Sequence, residues 1–173
     1  MRSWAEDYCI LEIVASGLDP EAAVPVEGAA LRVRGGSEAD AIAVLMDPGC
    51  PLPASLLEKS GRKEDDFRGG CRPQEGLARL RDFCGRRAVL AHGGPAFEGE
   101  IMARHGIRLA GPFLDTRELA WLALPYLRDH SLASLSSSLL REAPSWRALE
   151  DARLLARLLA RLREDWEEIP RRA

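Results

Sequence analysis

A chain of 173 residues with 46% hydrophobic content is long enough to form one domain around a substantial core. We therefore expect a single domain over residues 1–173. The formal net charge of −3 excludes nucleic-acid binding driven by overall charge. Such binding would need a local patch, built mainly from arginine because Lys59 and Lys63 are the only lysines.

The cysteines and the N-terminus indicate the cellular compartment. The four cysteines form no CxxC pair and are not tightly spaced with the three histidines, which argues against a zinc module or a disulfide framework. The segment MRSWAEDY carries acids where a signal peptide has a basic start, and no run approaches the roughly twenty apolar residues of a membrane span. We expect a soluble, cytoplasmic protein with reduced thiols and no membrane segment.

The first part of the chain has the pattern of a strand meander. Residues 8–14 are apolar on both alternating faces except for one acid, as in a central strand that is covered on both sides. Residues 25–33 and 41–46 are typical of two further strands, with Gly35 and Gly36 at a hairpin turn between them. These runs predict three antiparallel strands.

The pattern then changes to α/β order. Residues 47–73 are rich in Pro, Gly and charge, which predicts a long surface connection with a short helix near residues 54–59. After it we expect a helix at 73–84, a strand at 88–91, a helix at 95–105, a strand at 113–114, and helices at 117–124, 131–140 and 145–168. The predicted fold is α/β and RNase H-like, with a five-stranded mixed sheet, three antiparallel strands followed by two parallel ones, and helices on both faces.

The last predicted helix has one apolar face, which should pack on the sheet. Its members recur at alternating steps along the helix and are Ala148, Ala152, Leu155, Leu159, Leu162 and Trp166. We expect the core to span about residues 8–163 and the Arg-rich end, residues 167–173, to be frayed.

Three acids occupy positions that call for an explanation. Glu12 lies inside an otherwise apolar strand, where an ionised carboxylate needs a cationic or hydrogen-bonding partner. Glu98 and Asp151 lie in the first turns of two helices and border apolar faces. If the three carboxylates converge at one sheet edge, they would bind divalent metal through oxygen ligands. The alternatives are a buried ion pair with arginine for Glu12 and ordinary helix-dipole stabilisation for the other two.

Several short segments, in chain order, carry a family signature. They are Glu12-Ile13-Val14-Ala15-Ser16-Gly17-Leu18, Glu27-Gly28-Ala29, Asp47-Pro48-Gly49, Ala91-His92-Gly93-Gly94 with Phe97-Glu98, Leu114-Asp115-Thr116, Ser131-Leu132-Ala133-Ser134-Leu135 and Trp146-Arg147-Ala148-Leu149-Glu150-Asp151-Ala152. Over about residues 8–163 this order resembles the DnaQ-like (DEDDh) 3′–5′ exonucleases of the RNase H-like superfamily. The resemblance implies two Mg²⁺ or Mn²⁺ ions held between four carboxylates, with a histidine that deprotonates the attacking water.

The chain departs from that family pattern at most of the catalytic positions. Glu12 stands at the first acid position, and Val14, on the same strand face, offers no oxygen at the second. Glu98 replaces the third acid, an aspartate, with one additional residue after His92, whereas Asp151 is unchanged. Trp146 replaces the histidine, and an indole N–H donates a hydrogen bond but accepts no proton near neutral pH. We expect an eroded centre with weak or no exonuclease activity.

The sequence is compatible with several residual functions. A single metal ion between Glu12 and Asp151, near Glu150, would preserve a trace of hydrolysis, and His92 as a substitute base is a weaker alternative than a structural histidine. The other functional alternatives are an active metal-dependent exonuclease acting on single-stranded DNA or RNA ends, and a structural module that binds a polymerase or another protein partner.

An eroded cleft can still bind the 3′ end of a single strand. The residues expected to do so by resemblance are Ser16, Gly17, His92, Trp146 and Arg147. Arg62, Arg68 and Arg141 are further candidates because they fall near loops that would border the cleft, the alternative being solvated surface charges. Trp146 would either stack on a base or fill the volume left by lost metal ions.

Overall fold

The structure of the protein, a computed structural model, describes residues 7–168, with side chains up to residue 164. It contains a five-stranded mixed sheet of order β3-β2-β1-β4-β5. The strands are β1 (Asp7–Ala15), β2 (Pro25–Arg34), β3 (Ser37–Leu45), β4 (Ala88–Ala91) and β5 (Phe113–Asp115). β1, β2 and β3 are antiparallel, while β4 pairs parallel with β1 and β5 parallel with β4. The predicted fold class is therefore confirmed.

Helices cover both faces of this sheet. They are α1 (Ala54–Ser60), α2 (Glu64–Phe67), α3 (Pro73–Cys84), α4 (Glu100–Arg104), α5 (Thr116–Ala123), α6 (Leu132–Leu140) and α7 (Ala148–Glu168). α3 packs on β2, and α7 packs across β1 and β2. No helix in the described part of the chain combines the length and apolar character that crossing a membrane requires.

β1 is the central strand, and its alternation divides the core. Cys9, Leu11 and Ile13 pack in the cluster that includes α3, whereas Ile10 packs in the cluster that includes α7. Because successive side chains point to opposite faces, Glu12 shares the α7 face with Ile10 and Val14. The strand thus places one acid under the N-terminal part of the longest helix.

The face of α7 is close to the predicted one. Ala148, Ala152, Leu155 and Leu162 are buried, but Leu158 is more deeply buried than Leu159. The helix is regular through Glu168. The side chain of Trp166 lies outside the described residues. Residues 169–173 of the predicted tail also lie outside them.

The prediction of a long surface connection over residues 47–73 is wrong in part. This segment contains α2 as well as α1, and Leu56 and Phe67 are 4% and 2% exposed. Met46 and Cys71 also form an isolated parallel bridge. The apolar side chains are sparse in this charged segment, yet they cover the end of the sheet and exclude water from it.

The two edge strands of the sheet differ from its central strand in exposure and length. β3 exposes Ser37, Glu38, Ala39 and Asp40. Glu38 accepts two hydrogen bonds of 3.0 Å from Arg153 of α7. At the opposite edge, β5 is only three residues long.

Candidate active site

Glu12 marks the centre of the candidate site. Its Oε2 atom is buried and has no hydrogen-bond partner, so the arginine considered as a partner is not found at this oxygen in the described structure. Burial raises the pKa of Glu12 well above its usual range, and the charges of Glu98 and Asp151 raise it further. The charges of Glu98 and Asp151 therefore both act on Glu12. We call Glu12, Glu98 and Asp151 the acid cluster.

Glu98 is carried by a π-helical turn, Pro95–Gly99, that leads directly into α4. In a π-helical turn the backbone hydrogen bond joins residues five positions apart, whereas in an α-helical turn it joins residues four positions apart. The π-turn therefore contains one more residue. This geometry accounts for the additional residue between His92 and Glu98. Glu98 is 2% exposed, and its Oε2 is buried without a partner. Burial first, and the negative charge of Asp115 second, raise the pKa of Glu98 to about 8.

Two glycines form the bend that precedes this turn. Gly93 and Gly94 have φ of +130° and +47°, which L side chains rarely adopt. A Cβ on Gly94 would lie 3.0 Å from the backbone of Asp115, and one on Gly93 would lie 3.4 Å from Oε2 of Glu98. Asp115 stabilises the bend, because its Oδ1 accepts the N–H of Gly93 at 3.1 Å and that of Arg117 at 2.8 Å. Glycine is therefore required where the chain passes beside the buried acid.

Asp151 lies in the first turn of α7 and is 5% exposed. Its Oδ1 accepts the backbone N–H of Ser145 at 2.7 Å and the hydroxyl of Ser145 at 3.0 Å. Burial raises the pKa of Asp151, although hydrogen bonds from Ser145 and from the backbone of Trp146 and Arg147 act in the opposite direction. One oxygen of this acid is thus engaged in holding the loop before the helix.

An apolar cluster surrounds positions 14 and 146, where the family pattern has a carboxylate and a histidine. Val14 is 8% exposed and belongs to a buried cluster that includes Leu56, Phe67 and Ala148, and the partly buried Trp146 packs against this cluster. We call Val14 and Trp146 together with these neighbours the apolar plug. Trp146 has φ of +60°, an uncommon conformation for a bulky residue, and Lys59 Nζ lies 4.3 Å from the centre of its ring.

His92 has both ring nitrogens engaged. Nε2 lies 2.8 Å from the carbonyl oxygen of His130, and Nδ1 lies 3.0 Å from the hydroxyl of Thr116. Because a carbonyl only accepts, Nε2 donates to it, and the Thr116 hydroxyl beside Nδ1 also donates to the carbonyl oxygen of Ala91 at 3.2 Å. Burial lowers the pKa of His92, which favours the neutral form. Neither nitrogen is left to take a proton from water.

The other residues predicted to bind nucleic acid differ in exposure. Ser16 is tied to Val24, whose N–H donates to its hydroxyl at 2.9 Å. Gly17 is exposed, with open space around the position of a Cβ. Leu18 beside it is 82% exposed. Arg147 is exposed at the start of α7.

The three arginines considered as cleft residues also differ in exposure and in their ion pairs. Arg62 is not a free cleft residue, since its Nε donates to Glu27 Oε2 at 2.9 Å and its side chain is only 15% exposed. Arg68 is exposed and pairs with Asp65 at 2.9 Å, consistent with a surface charge. Arg141 is exposed at the end of α6, with φ of +59°.

The acid cluster has some of the properties of a metal site. Glu12 and Glu98 each have a buried carboxylate oxygen without a partner, and carboxylate oxygens are the donors that Mg²⁺ or Mn²⁺ prefers. Within residues 7–168, however, no three His, Cys, Asp or Glu side chains are already spaced around a common point for an ion. The donors therefore fit one ion in chemistry, and binding it would require their side chains to adjust.

Two features of the site escaped the sequence analysis. The buried pair of Glu27 and Arg62 lies beside the plug, and the only sequence signal for it was an acid within the second apolar strand. Asp115 was noted in a motif but not as a neighbour of Glu98, although an acid at a strand end is a recognisable signal.

Comparisons with known proteins agree with this fold. The family model for exonucleases named RNase T matches residues 15–159. The DNA polymerase III PolC-type protein of Bacillus cereus is 26% identical over 167 residues, covering 92% of this chain and 12% of that protein. The chain thus spans about an eighth of the length of the curated relatives that it matches.

Solved structures with the same fold include two nucleases. A 3′-exonuclease that recognises a histone mRNA stem-loop has a TM-score of 0.76 at 16% identity, over 92% of this chain and 82% of that one. The zinc-bound complex of E. coli exonuclease I with single-stranded DNA has a TM-score of 0.73 at 14% identity, over 96% and 41%. Since the family match covers most of the residues that build the sheet and the acid cluster, this chain belongs to the exonuclease family.

Proposed function

We propose that this chain is an exonuclease-fold protein with an eroded catalytic centre, which binds the 3′ end of single-stranded nucleic acid and has weak or no 3′–5′ exonuclease activity. The observation that carries the proposal is the contrast at the end of β1. Glu12 meets two further acids there, while Val14 and Trp146 lie in an apolar plug. The cytoplasmic location stays a prediction.

The chemistry expected of this centre follows from its residues. A divalent ion bound by Glu12, Glu98 and Asp151 would neutralise phosphate charge and activate water. The chain supplies no proton acceptor in the general-base position, because Trp146 has only an N–H donor and His92 is hydrogen-bonded at both nitrogens. Loss of a general base typically costs about 10²- to 10⁴-fold in rate.

Strand binding would use groups that are exposed after β1, before α7 and at the end of α6. Gly17 leaves its backbone accessible, Leu18 is 82% exposed, and Arg147 and Arg141 are exposed cations. Backbone amides and arginines bind phosphates without selecting sequence. The 3′-exonuclease and exonuclease I of the comparisons are described with an RNA stem-loop and single-stranded DNA respectively, which supports a nucleic-acid ligand for the shared fold.

The test is an end-labelled single strand incubated with the protein and Mn²⁺. We expect retention of the strand that weakens as salt rises, with little or no shortening. Arg147→Ala should weaken binding and reduce the salt dependence, while Arg68→Ala serves as a matched control on a paired surface arginine. Shortening from the 3′ end that Asp151→Ala abolishes would establish an active exonuclease instead. Absence of binding at low salt would contradict the binding function.

A second candidate is a protein-interaction module whose partner is a polymerase or another protein. It is favoured by exposed apolar side chains on α5 and the segment after it. Trp121, Leu122 and Tyr126 are 59%, 58% and 75% exposed. The match to a DNA polymerase III PolC-type protein supports a polymerase as that partner. Loss of a co-purifying partner in Trp121→Ala, with strand binding unchanged, would support this candidate over the first.

A further inference from the structure

The proposed function makes no use of two buried cysteines that meet at the C-terminal end of α3. Cys9 of β1 and Cys84, the last residue of α3, are both 0% exposed. They belong to the apolar cluster that includes α3, and their thiols are hydrogen-bonded to each other. Two sulfur atoms are therefore neighbours inside the core, on the sheet face opposite to Glu12.

Arg32 of β2 lies beside this cysteine pair. In the pairing of β1 with β2 it is directly opposite Cys9, and directly opposed residues project on the same face with Cβ atoms about 4.5–5.5 Å apart. Its Nη2 donates to the carbonyl oxygen of Phe83 at 3.1 Å, and its guanidinium lies 4.9 Å from the ring centre of Phe83. Its Nε is buried and has no hydrogen-bond partner. A cation with an unsatisfied N–H is thus held next to Cys9, where a thiolate would be a suitable acceptor.

A second arginine binds the same end of α3. Arg87 Nη1 donates to the carbonyl oxygen of Cys84 at 3.4 Å, and its Nε donates to Asp7 at 3.0 Å. Asp40 lies 3.8 Å from Arg32, so each cation also has an acid nearby. The side chains of Arg32 and Arg87 are 23% and 28% exposed. The pair is therefore bordered by arginines that reach solvent, and displacement of these side chains would admit a reagent as small as hydrogen peroxide.

The two cysteines differ in how readily they ionise. The hydrogen bond from Cys84 lowers the pKa of Cys9, burial acts in the opposite direction, and the charges of Arg87 and Arg32 lower it further. The same hydrogen bond raises the pKa of Cys84, as does burial. The thiolate is the nucleophilic form of cysteine, and neighbouring arginines stabilise it. Cys9 is thus the nucleophile of the pair, and Cys84 is its protonated partner.

We propose that Cys9 and Cys84 form a redox-active pair, in which Cys9 is the nucleophile and a peroxide converts the two thiols into a disulfide between β1 and α3. The Cys9 sulfur attacks one peroxide oxygen and the O–O bond breaks. This step gives Cys9 sulfenic acid, and the leaving oxygen takes a proton to become water or an alcohol. The Cys84 sulfur then attacks the sulfenic sulfur, and the S–S bond forms as water is released. The sulfur atoms lose two electrons in total, and the peroxide gains them.

The test treats the folded full chain with hydrogen peroxide and measures intact mass and a peptide map. We expect the loss of about 2 Da and a linked peptide that contains Cys9 and Cys84, both reversed by a dithiol reductant. Cys50→Ser combined with Cys71→Ser is the matched control, since Cys50 is exposed and Cys71 half-buried, and the link should form in it unchanged. A folded wild type without this link, or one whose link joins Cys50 or Cys71 instead, would overturn the proposal.

Variants of the pair and of its arginine test the assigned roles. Cys84→Ser should stop at Cys9 sulfenic acid, which a sulfenic-acid-specific label detects, whereas Cys9→Ser should give no label at Cys84. Arg32→Met should slow link formation at pH 7 by about tenfold, as for a rise of one unit in the pKa of Cys9. Arg32→Lys should restore most of the rate, and Arg79→Met, on the exposed side of α3, should not change it. Equal rates in wild type and folded Arg32→Met would contradict Cys9 as the nucleophile.

The inference is independent of the proposed function. The linked peptide is measured on the wild-type chain, so it remains decisive if a cysteine variant does not fold. It requires neither strand binding nor hydrolysis, and an active exonuclease would leave it standing.

Discussion

The acid cluster and the apolar plug lie side by side on one sheet face, and β1 contributes to both through Glu12 and Val14. In the acid cluster, two buried oxygens have no partner and the pKa of Glu98 is raised to about 8. In the plug, the apolar side chains are close-packed and the neighbouring charge of Glu27 is paired. Glu12 and Val14 are therefore two residues apart on one strand but belong to different regions. One region has buried carboxylate oxygens without a partner, and the other is apolar core.

The largest expected effect comes from converting the plug back into a polar half-site. Val14→Glu with Trp146→His would restore an oxygen ligand and a proton acceptor, and histidine tolerates the positive φ at position 146 better than most residues. We expect Mn²⁺-dependent shortening of a single strand to rise about 10²- to 10⁴-fold over the wild type, from the general base alone.

The single variants serve as controls for this reconstruction. Val14→Glu alone should bind metal more tightly without much hydrolysis, and Trp146→His alone should leave the missing ligand uncorrected. If the folded double variant shortens the strand no faster than the wild type, the absence of these two groups does not limit hydrolysis and the proposed eroded centre is contradicted.

The next effect is the pH dependence of stability, which distinguishes the acid cluster from the apolar plug. Since the pKa of Glu98 is about 8 in the folded chain and near 4.5 in the unfolded one, the folded state binds its proton more tightly. The stability contributed by the protonated group is complete below about pH 4.5 and is lost as the pH rises through 8. One pKa unit corresponds to about 1.4 kcal/mol, so the loss should amount to several kcal/mol.

Urea unfolding in EDTA between pH 5 and 8.5 measures this loss. Glu98→Gln should reduce the pH dependence and leave the part that comes from Glu12 and Asp151, whose pKa values burial also raises, while Glu100→Gln, an exposed neighbour, should leave it unchanged. With Mn²⁺ present the trend should weaken, because metal binding favours the ionised carboxylates that high pH provides. A wild-type stability that does not fall across this range would contradict a protonated Glu98.

A smaller effect tests how Asp151 is used. Its Oδ1 accepts both the N–H and the hydroxyl of Ser145, so Asp151→Ala should lower the free energy of unfolding by about 1–3 kcal/mol even without metal. Ser145→Ala removes only the hydroxyl and should cost about 0.5–1.5 kcal/mol. Equal stability of the wild type and Asp151→Ala in EDTA would mean that the acid is not holding the loop.

The smallest effect concerns the outer side of the plug. Lys59→Ala removes a cation 4.3 Å from the ring of Trp146 and should cost about 0.5–1 kcal/mol in thermal or urea unfolding. Lys63→Ala, the other lysine, provides the matched control. The Lys59 effect should disappear in a Trp146→Leu background, and its persistence there would exclude the ring contact as its cause.

Local signals account for the parts of the fold that were predicted accurately. α3 begins at Pro73, which is tolerated in a first helical turn, and ends before Gly85, so both of its bounds were readable from the sequence. β4 was equally clear as a short apolar run. The π-turn at Pro95–Gly99 was not predicted, because the additional residue was visible only against the family pattern and its accommodation depends on contacts with Asp115.

The site was less predictable wherever partners are distant in sequence. An acid inside β1 indicated that Glu12 needed an explanation, and alternation showed that Val14 shares its face. Glu27 also lies in an apolar run, but its partner Arg62 is 35 positions away in the sequence. The position of Glu27 opposite Val14 is fixed only by the register between β1 and β2. Alternation within one strand is a local property, whereas pairing between strands and loops is not.

The form of the sheet edges bears on how copies of this protein behave at high concentration. A strand edge with open N–H and C=O groups is a template for pairing with another molecule. Here one edge carries Glu38 and Asp40, whose charges would oppose an incoming strand, and Arg153 of α7 holds Glu38 from the side. The other edge offers only the three residues of β5. Edge-to-edge aggregation is disfavoured on both sides, so the variants that open the plug can be compared in concentrated solution with little risk of strand-mediated precipitation.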